Sequence, residues 1–78
     1  MNEFLYKNTS KKKIELSIEP LCESFFLEEG EELIISVEDN LPALSIDVEE
    51  AFFEGEKIII IIMNNNYFSY KTEVRKYI

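Results

Sequence analysis

The sequence predicts an all-β fold: a small antiparallel β-sandwich or barrel of six to seven strands, in a single domain covering residues 1–78. Three observations predict it. Apolar and polar residues alternate with a period of two through most of the chain. Clusters containing Gly, Pro, Asn and Asp punctuate the alternation. One unbroken run of β-branched residues, 58–62, has the composition of a strand at the centre of a sheet.

Taken in order, Ile14, Leu16 and Ile18 alternate with Glu15, Ser17 and Glu19, which reads as a half-buried strand ended by Pro20. Phe25, Phe26 and Leu27 form a short apolar piece that runs into Glu28-Glu29-Gly30-Glu31, a turn in which Gly30 supplies positive φ. Leu33, Ile35 and Val37 are the next inward set. Asp39-Asn40-Leu41-Pro42 is a turn by composition, after which Leu44, Ile46 and Val48 resume the alternation. A four-residue hairpin loop there would oppose Val37 to Leu44, Ile35 to Ile46 and Leu33 to Val48, with Glu32 against Glu49 on the wet face. Such opposed like charges are tolerated at a surface and become favourable when a cation sits between them.

Residues 57–63, Lys-Ile-Ile-Ile-Ile-Ile-Met, do not alternate and therefore call for cover on both sides of a central strand. Asn64-Asn65-Asn66 suits a hairpin turn into the C-terminal segment. There Phe68, Tyr70, Thr72 and Val74 alternate as in a strand, while Tyr70, Val74, Tyr77 and Ile78 also fit helical spacing. Strand is favoured by β-rich composition, with helix as the alternative for 67–78.

Charge is strongly segregated. Residues 14–56 hold fourteen acidic side chains and no lysine or arginine, whereas the segments on either side each carry a net +3, for a total of -8. An acidic field of this kind attracts basic proteins and repels nucleic acid. Lys11-Lys12-Lys13, the one basic run, reads as solubilising or edge-protecting.

Histidine is absent, which removes the commonest general base, zinc ligand and partner for a nucleophilic Ser or Cys. Cys22, the single cysteine, is expected to be a small buried side chain near Pro20 and permits no internal disulfide. Catalysis and cofactors are therefore not expected. Calcium chemistry is available at Asp39-Asn40 and at residues 28–32, but neither has the twelve-residue loop spacing, so no metal is assigned. The reduced cysteine economy and the N-terminal sequence, which lacks a basic start followed by an apolar stretch, lead to a cytoplasmic expectation. The six-residue apolar run 58–63 is far too short for a membrane helix.

The stretch from Glu19 to Leu33, EPLCESFFLEEGEEL, resembles a pattern in small bacterial proteins of unassigned function: Glu-Pro-aromatic-Gly, an acid, an aromatic, Leu, then Gly-Glu before an apolar strand. Leu21 stands here for the aromatic and Cys22 for the glycine. The resemblance implies a strand-turn-strand unit and no activity. In size and charge alone the chain is also similar to immunity proteins, which neutralise bacterial toxins and are often small and acidic because many of those toxins are basic nucleases. The function expected is thus a non-enzymatic module covering a basic protein surface, as an immunity protein or antitoxin would. The expected acidic contacts are Glu28, Glu29, Glu31, Glu32, Asp47 and Glu49, with Phe25 or Phe26 as apolar anchor. The alternative is a structural or accessory β domain that self-associates, for example as a homodimer, through its strand edges.

Overall fold

Period-two alternation sets which side of each strand is buried, and a computed structural model describing residues 2–38, 44–64 and 70–76 shows the outcome. Seven strands form: β1 (Asn2–Lys7), β2 (Ile14–Glu19), β3 (Glu23–Leu27), β4 (Glu31–Val37), β5 (Ile46–Phe53), β6 (Glu56–Met63) and β7 (Lys71–Lys76). No helix occurs among the described residues. The strands make two sheets, a three-stranded one in the order β1-β4-β7 and a four-stranded one in the order β3-β2-β6-β5. The Cα atoms extend 38 × 29 × 15 Å, the short dimension reflecting two layers stacked about 10 Å apart.

One core joins the sheets. Leu16 and Ile18 of β2, Leu27 of β3, and Ile59, Ile61 and Met63 of β6 meet Leu33, Ile35 and Val37 of β4, all essentially inaccessible to solvent. Phe4, Tyr6, Phe25 and Tyr70 pack around them. Each fully buried aliphatic side chain contributes about 1.5–3 kcal/mol relative to exposure. This cluster is therefore the principal source of stability in so small a chain.

Several expectations are corrected. The sheets are not purely antiparallel, because β2 and β6 run parallel, with Leu16 beside Ile59 and Ile18 beside Ile61. No strand belongs to both sheets, so they do not close into a barrel. The helical alternative for the C-terminal segment fails: residues 71–76 are strand β7, with residues 67–69 and 77–78 outside the described part. β7 pairs with β4 rather than with β6, so the asparagine triplet does not begin a hairpin between adjacent strands. The expected hairpin between β4 and β5 also fails, since β4 pairs with β1 and β7 while β5 pairs with β6 in the other sheet. Matching inward residues is necessary for two strands to pair and does not select between partners. The turn at 39–42 and Ala43 lie outside the described residues.

β6 is central to its sheet, as its composition requires. Its two faces are unequal, however: Ile59, Ile61 and Met63 are buried, while Ile58, Ile60 and Ile62 face outward and are only half-buried. The second cover expected for this strand is thus absent among the described residues. β1 was not apparent from the sequence, because Leu5, exposed on the outer side, blurs the alternation of Phe4 and Tyr6 with Glu3 and Lys7.

Turns follow the backbone chemistry. Glu31 N–H donates to the Glu28 carbonyl at 3.1 Å, and Gly30 has φ 81°, consistent with the third position of a type II turn. Between β5 and β6 the two loop residues, Glu54 and Gly55, have φ 52° and 81°. Two consecutive positive values are the signature of the type I′ hairpin, whose twist matches that of the flanking strands. Cys22, expected to be buried, is exposed with φ 55°. It adopts the left-handed conformation that non-glycine residues seldom take.

The buried polar side chain among the described residues is Asn8, at the end of β1. Its amide nitrogen donates to the carbonyls of Lys12 (2.8 Å) and Leu27 (2.9 Å). Its carbonyl oxygen accepts from the backbone N–H (3.0 Å) and the hydroxyl (2.7 Å) of Ser10. Its backbone N–H donates to Glu31 O, and its backbone carbonyl accepts from Gly30 N–H, both at 2.9 Å. One side chain thereby fixes the loop carrying the three lysines and ties it to the end of β3.

Candidate functional site

The expected acidic residues do not share one face. Glu28, Glu29 and Glu31 sit at or beside the β3–β4 turn, where the Glu31 carboxylate accepts the Glu28 N–H at 2.6 Å. Glu28 also lies 3.9 Å from Lys13. Glu32 is on the outer side of the three-stranded sheet, in register with Lys7 on one neighbour and Arg75 on the other. Asp47 and Glu49 are on the outer side of the four-stranded sheet, so the expected opposition of Glu32 and Glu49 does not form. Phe25 turns inward against the core, whereas Phe26 is exposed and lies beneath Lys13, whose ammonium is 5.1 Å from the ring centre.

A different acidic constellation emerges around Asp47 and Glu49. The register sets Glu15, Ser17 and Glu19 of β2 beside Ile58, Ile60 and Ile62 of β6. On the other side of β6, the same isoleucines face Ala51, Glu49 and Asp47 of β5. With strands about 4.8 Å apart, two rows of carboxylates about 10 Å apart flank a half-buried isoleucine stripe about 13 Å long. The strands bring no lysine or arginine to this side, since Lys57 of β6 faces the other way with Phe52 and pairs with Glu50 at 3.2 Å; Lys13, just before β2, borders it at the Phe26 end beside Glu15. Glu15 and Glu19 were legible as outward residues of an alternating strand. Their approach to Asp47 and Glu49 depends on a parallel pairing that spans most of the chain.

Two of the carboxylates, Asp47 and Glu19, are held in place by neutral donors. Asp47 Oδ2 accepts from Asn64 Nδ2 at 3.0 Å, and Glu19 accepts from Ser17 Oγ at 3.2 Å and from Cys22 Sγ at 3.3 Å. Each bond leaves the negative charge uncompensated. The hydrogen bond to Glu19, reinforced by its charge, pushes the Cys22 thiol above its ordinary pKa. This disfavours the thiolate and so the nucleophile. No group of three His, Cys, Asp or Glu among the described residues is disposed to hold a metal ion. An open depression of about 340 Å³ lies at the Phe26 end, lined by Lys13, Ile14, Glu15, Phe26, Glu56 and Lys57.

One further polar contact links the two sheets: the Tyr70 hydroxyl, just before β7, donates to the Glu23 carboxylate at the start of β3. Partial burial, followed by this bond and the carboxylate's charge, pushes the Tyr70 pKa upward. A tyrosine whose folded pKa exceeds its unfolded value of about 10 contributes stability that is complete below pH 10 and is lost as pH rises through the folded value. Chemical denaturation at neutral and at strongly alkaline pH should therefore show a smaller alkaline loss for Tyr70→Phe than for the unaltered protein. An equal loss in both would assign the alkaline transition to other groups.

Comparison of the chain with protein-family models, curated proteins and solved structures found no match in any of the three.

Proposed function

We propose that this chain is a non-enzymatic binding module that covers a basic protein surface, in the manner of an immunity protein or antitoxin. In outline the two sheets make a sandwich, and the binding surface is the outer side of its four-stranded layer. A single observation carries the reading: Glu15, Glu19, Asp47 and Glu49 flank the Ile58-Ile60-Ile62 stripe, with no strand cation among them. Apolar area at the centre of a contact excludes water and supplies most of the affinity, while surrounding charge selects a complementary partner and speeds encounter. The outer side of the three-stranded sheet is a poorer candidate, because Lys7, Lys71 and Arg75 are interspersed there with Glu3, Glu32 and Glu73.

The test is affinity capture of the tagged protein from its native cells, comparing unaltered protein with the double variant Asp47→Lys/Glu49→Lys. Glu3→Lys/Glu73→Lys serves as the equal-charge control on the other sheet. A basic protein retained by the unaltered chain and the control, and lost from the Asp47/Glu49 variant, is the expected result. Retention by all three would remove this face as the binding surface. Absence of any basic protein from all three would remove the function.

A further inference from the structure

The four sheet edges are unequally protected. Native edges are blunted by shortness, lysine, proline or bulges because an open edge is a template for another strand. Among the described residues, β3 has five residues, β1 carries Lys7, and β7 carries Lys71, Arg75 and Lys76. β5 is different. It has eight residues, an uninterrupted register with β6 from Ile46 to Phe53, no second neighbour among the described residues, and no Lys, Arg or Pro. Its side chains project on both sides without full cover: Val48 is 44%, Phe52 71% and Phe53 65% exposed.

Charge decides what fits there. Asp47 and Glu49 lie on one side of β5 and Glu50 on the other. A symmetric antiparallel pairing of two copies about the middle of the strand sets Glu49 against Glu49, or Glu50 against Glu50. Opposed like charges destabilise a strand pair. A strand with lysine or arginine at those positions gains in place of losing.

From these observations we infer that the open edge of β5 takes up an extended cationic segment of a partner protein as a fifth strand of the β3-β2-β6-β5 sheet. Main-chain hydrogen bonds supply affinity, and Asp47 and Glu49, on one side of the strand, select positive side chains, while Glu50 on the other side is already paired with Lys57. The inference rests on the acidic-module reading above and adds to it the mode of attachment. A strand docked on β5 borders the outer acidic side directly, so edge and face act as one surface.

The probe is a capped peptide of four Lys-Val repeats, matching the length of β5. Its comparison is the same peptide N-methylated at the two central residues, which removes one backbone donor from each edge without altering charge. Binding is followed by calorimetry at low salt and by amide hydrogen exchange across residues 46–53. Expected are saturable binding of the first peptide, slowed exchange within β5, and binding weaker by about tenfold or more for the methylated peptide. Equal binding of both peptides without protection of β5 would overturn strand addition and leave the acidic-face function standing. No binding of either would also overturn strand addition, with the capture experiment deciding the function separately.

Discussion

Asn8→Ala is expected to destabilise the protein by about 2–4 kcal/mol, against a total stability of about 4–12 kcal/mol for a chain of this length. The alanine cannot donate to Lys12 O and Leu27 O, nor accept from the Ser10 N–H and hydroxyl, and the bond to the Leu27 carbonyl is buried. Each buried group left unpaired costs about 1–3 kcal/mol. Asn8→Asp keeps the shape but directs an acceptor at two carbonyls, and should cost more at neutral pH. Its carboxyl would be pushed up in the fold, so stability withheld at neutral pH returns as pH falls and the group regains a proton to donate. Urea denaturation of both variants at neutral and mildly acidic pH checks this. A loss below about 0.5 kcal/mol for Asn8→Ala would show that the loop is held by other contacts.

Ile61→Ala should cost about 2–5 kcal/mol, the range for truncating a fully buried branched side chain and leaving a cavity. Ile60→Ala, one residue away in the same strand, should cost substantially less, because Ile60 is half-buried on the outer side beside Ser17 and Glu49. The difference reads the facing of β6 directly, since a chemically uniform run of isoleucines gives no sequence distinction between its two sides. Comparable losses at the two positions would mean that the outer stripe is covered in solution, for instance by a second copy.

How far the sequence could carry these conclusions depended on the range of the interaction. Alternation at period two is local, so β2, β4, β6 and the strand character of β7 were legible, as was the Gly30 turn. Partner choice is not local. The alternation that made β4 and β5 look like a hairpin equally permits β4 to join β1 and β7, and the competition is settled by how all seven strands share one core. The expected opposition of Glu32 and Glu49 inherited that error, since the two lie in separate sheets. The Glu54-Gly55 hairpin did have a signal, a glycine between two β-rich runs, which the pattern of alternation overshadowed. Asn8 had none. It sits in a polar segment where nothing marks one amide as buried, and its role follows entirely from the chain returning to it at Leu27 and Gly30.

The parallel pairing of β2 with β6 has a consequence for the order in which the molecule can be made. Leu16 meets Ile59 across more than forty residues of intervening chain, and β4 is flanked by β1 and β7, which lie at opposite ends of the described sequence. Long loops must close before any of these contacts returns free energy, the circumstance in which β proteins fold in milliseconds to seconds. Neither sheet is complete in the first half of the chain. A nascent polypeptide halted before Lys71 holds every residue of the core but lacks the strand that completes the three-stranded sheet, leaving one side of β4 without its hydrogen-bonding partner.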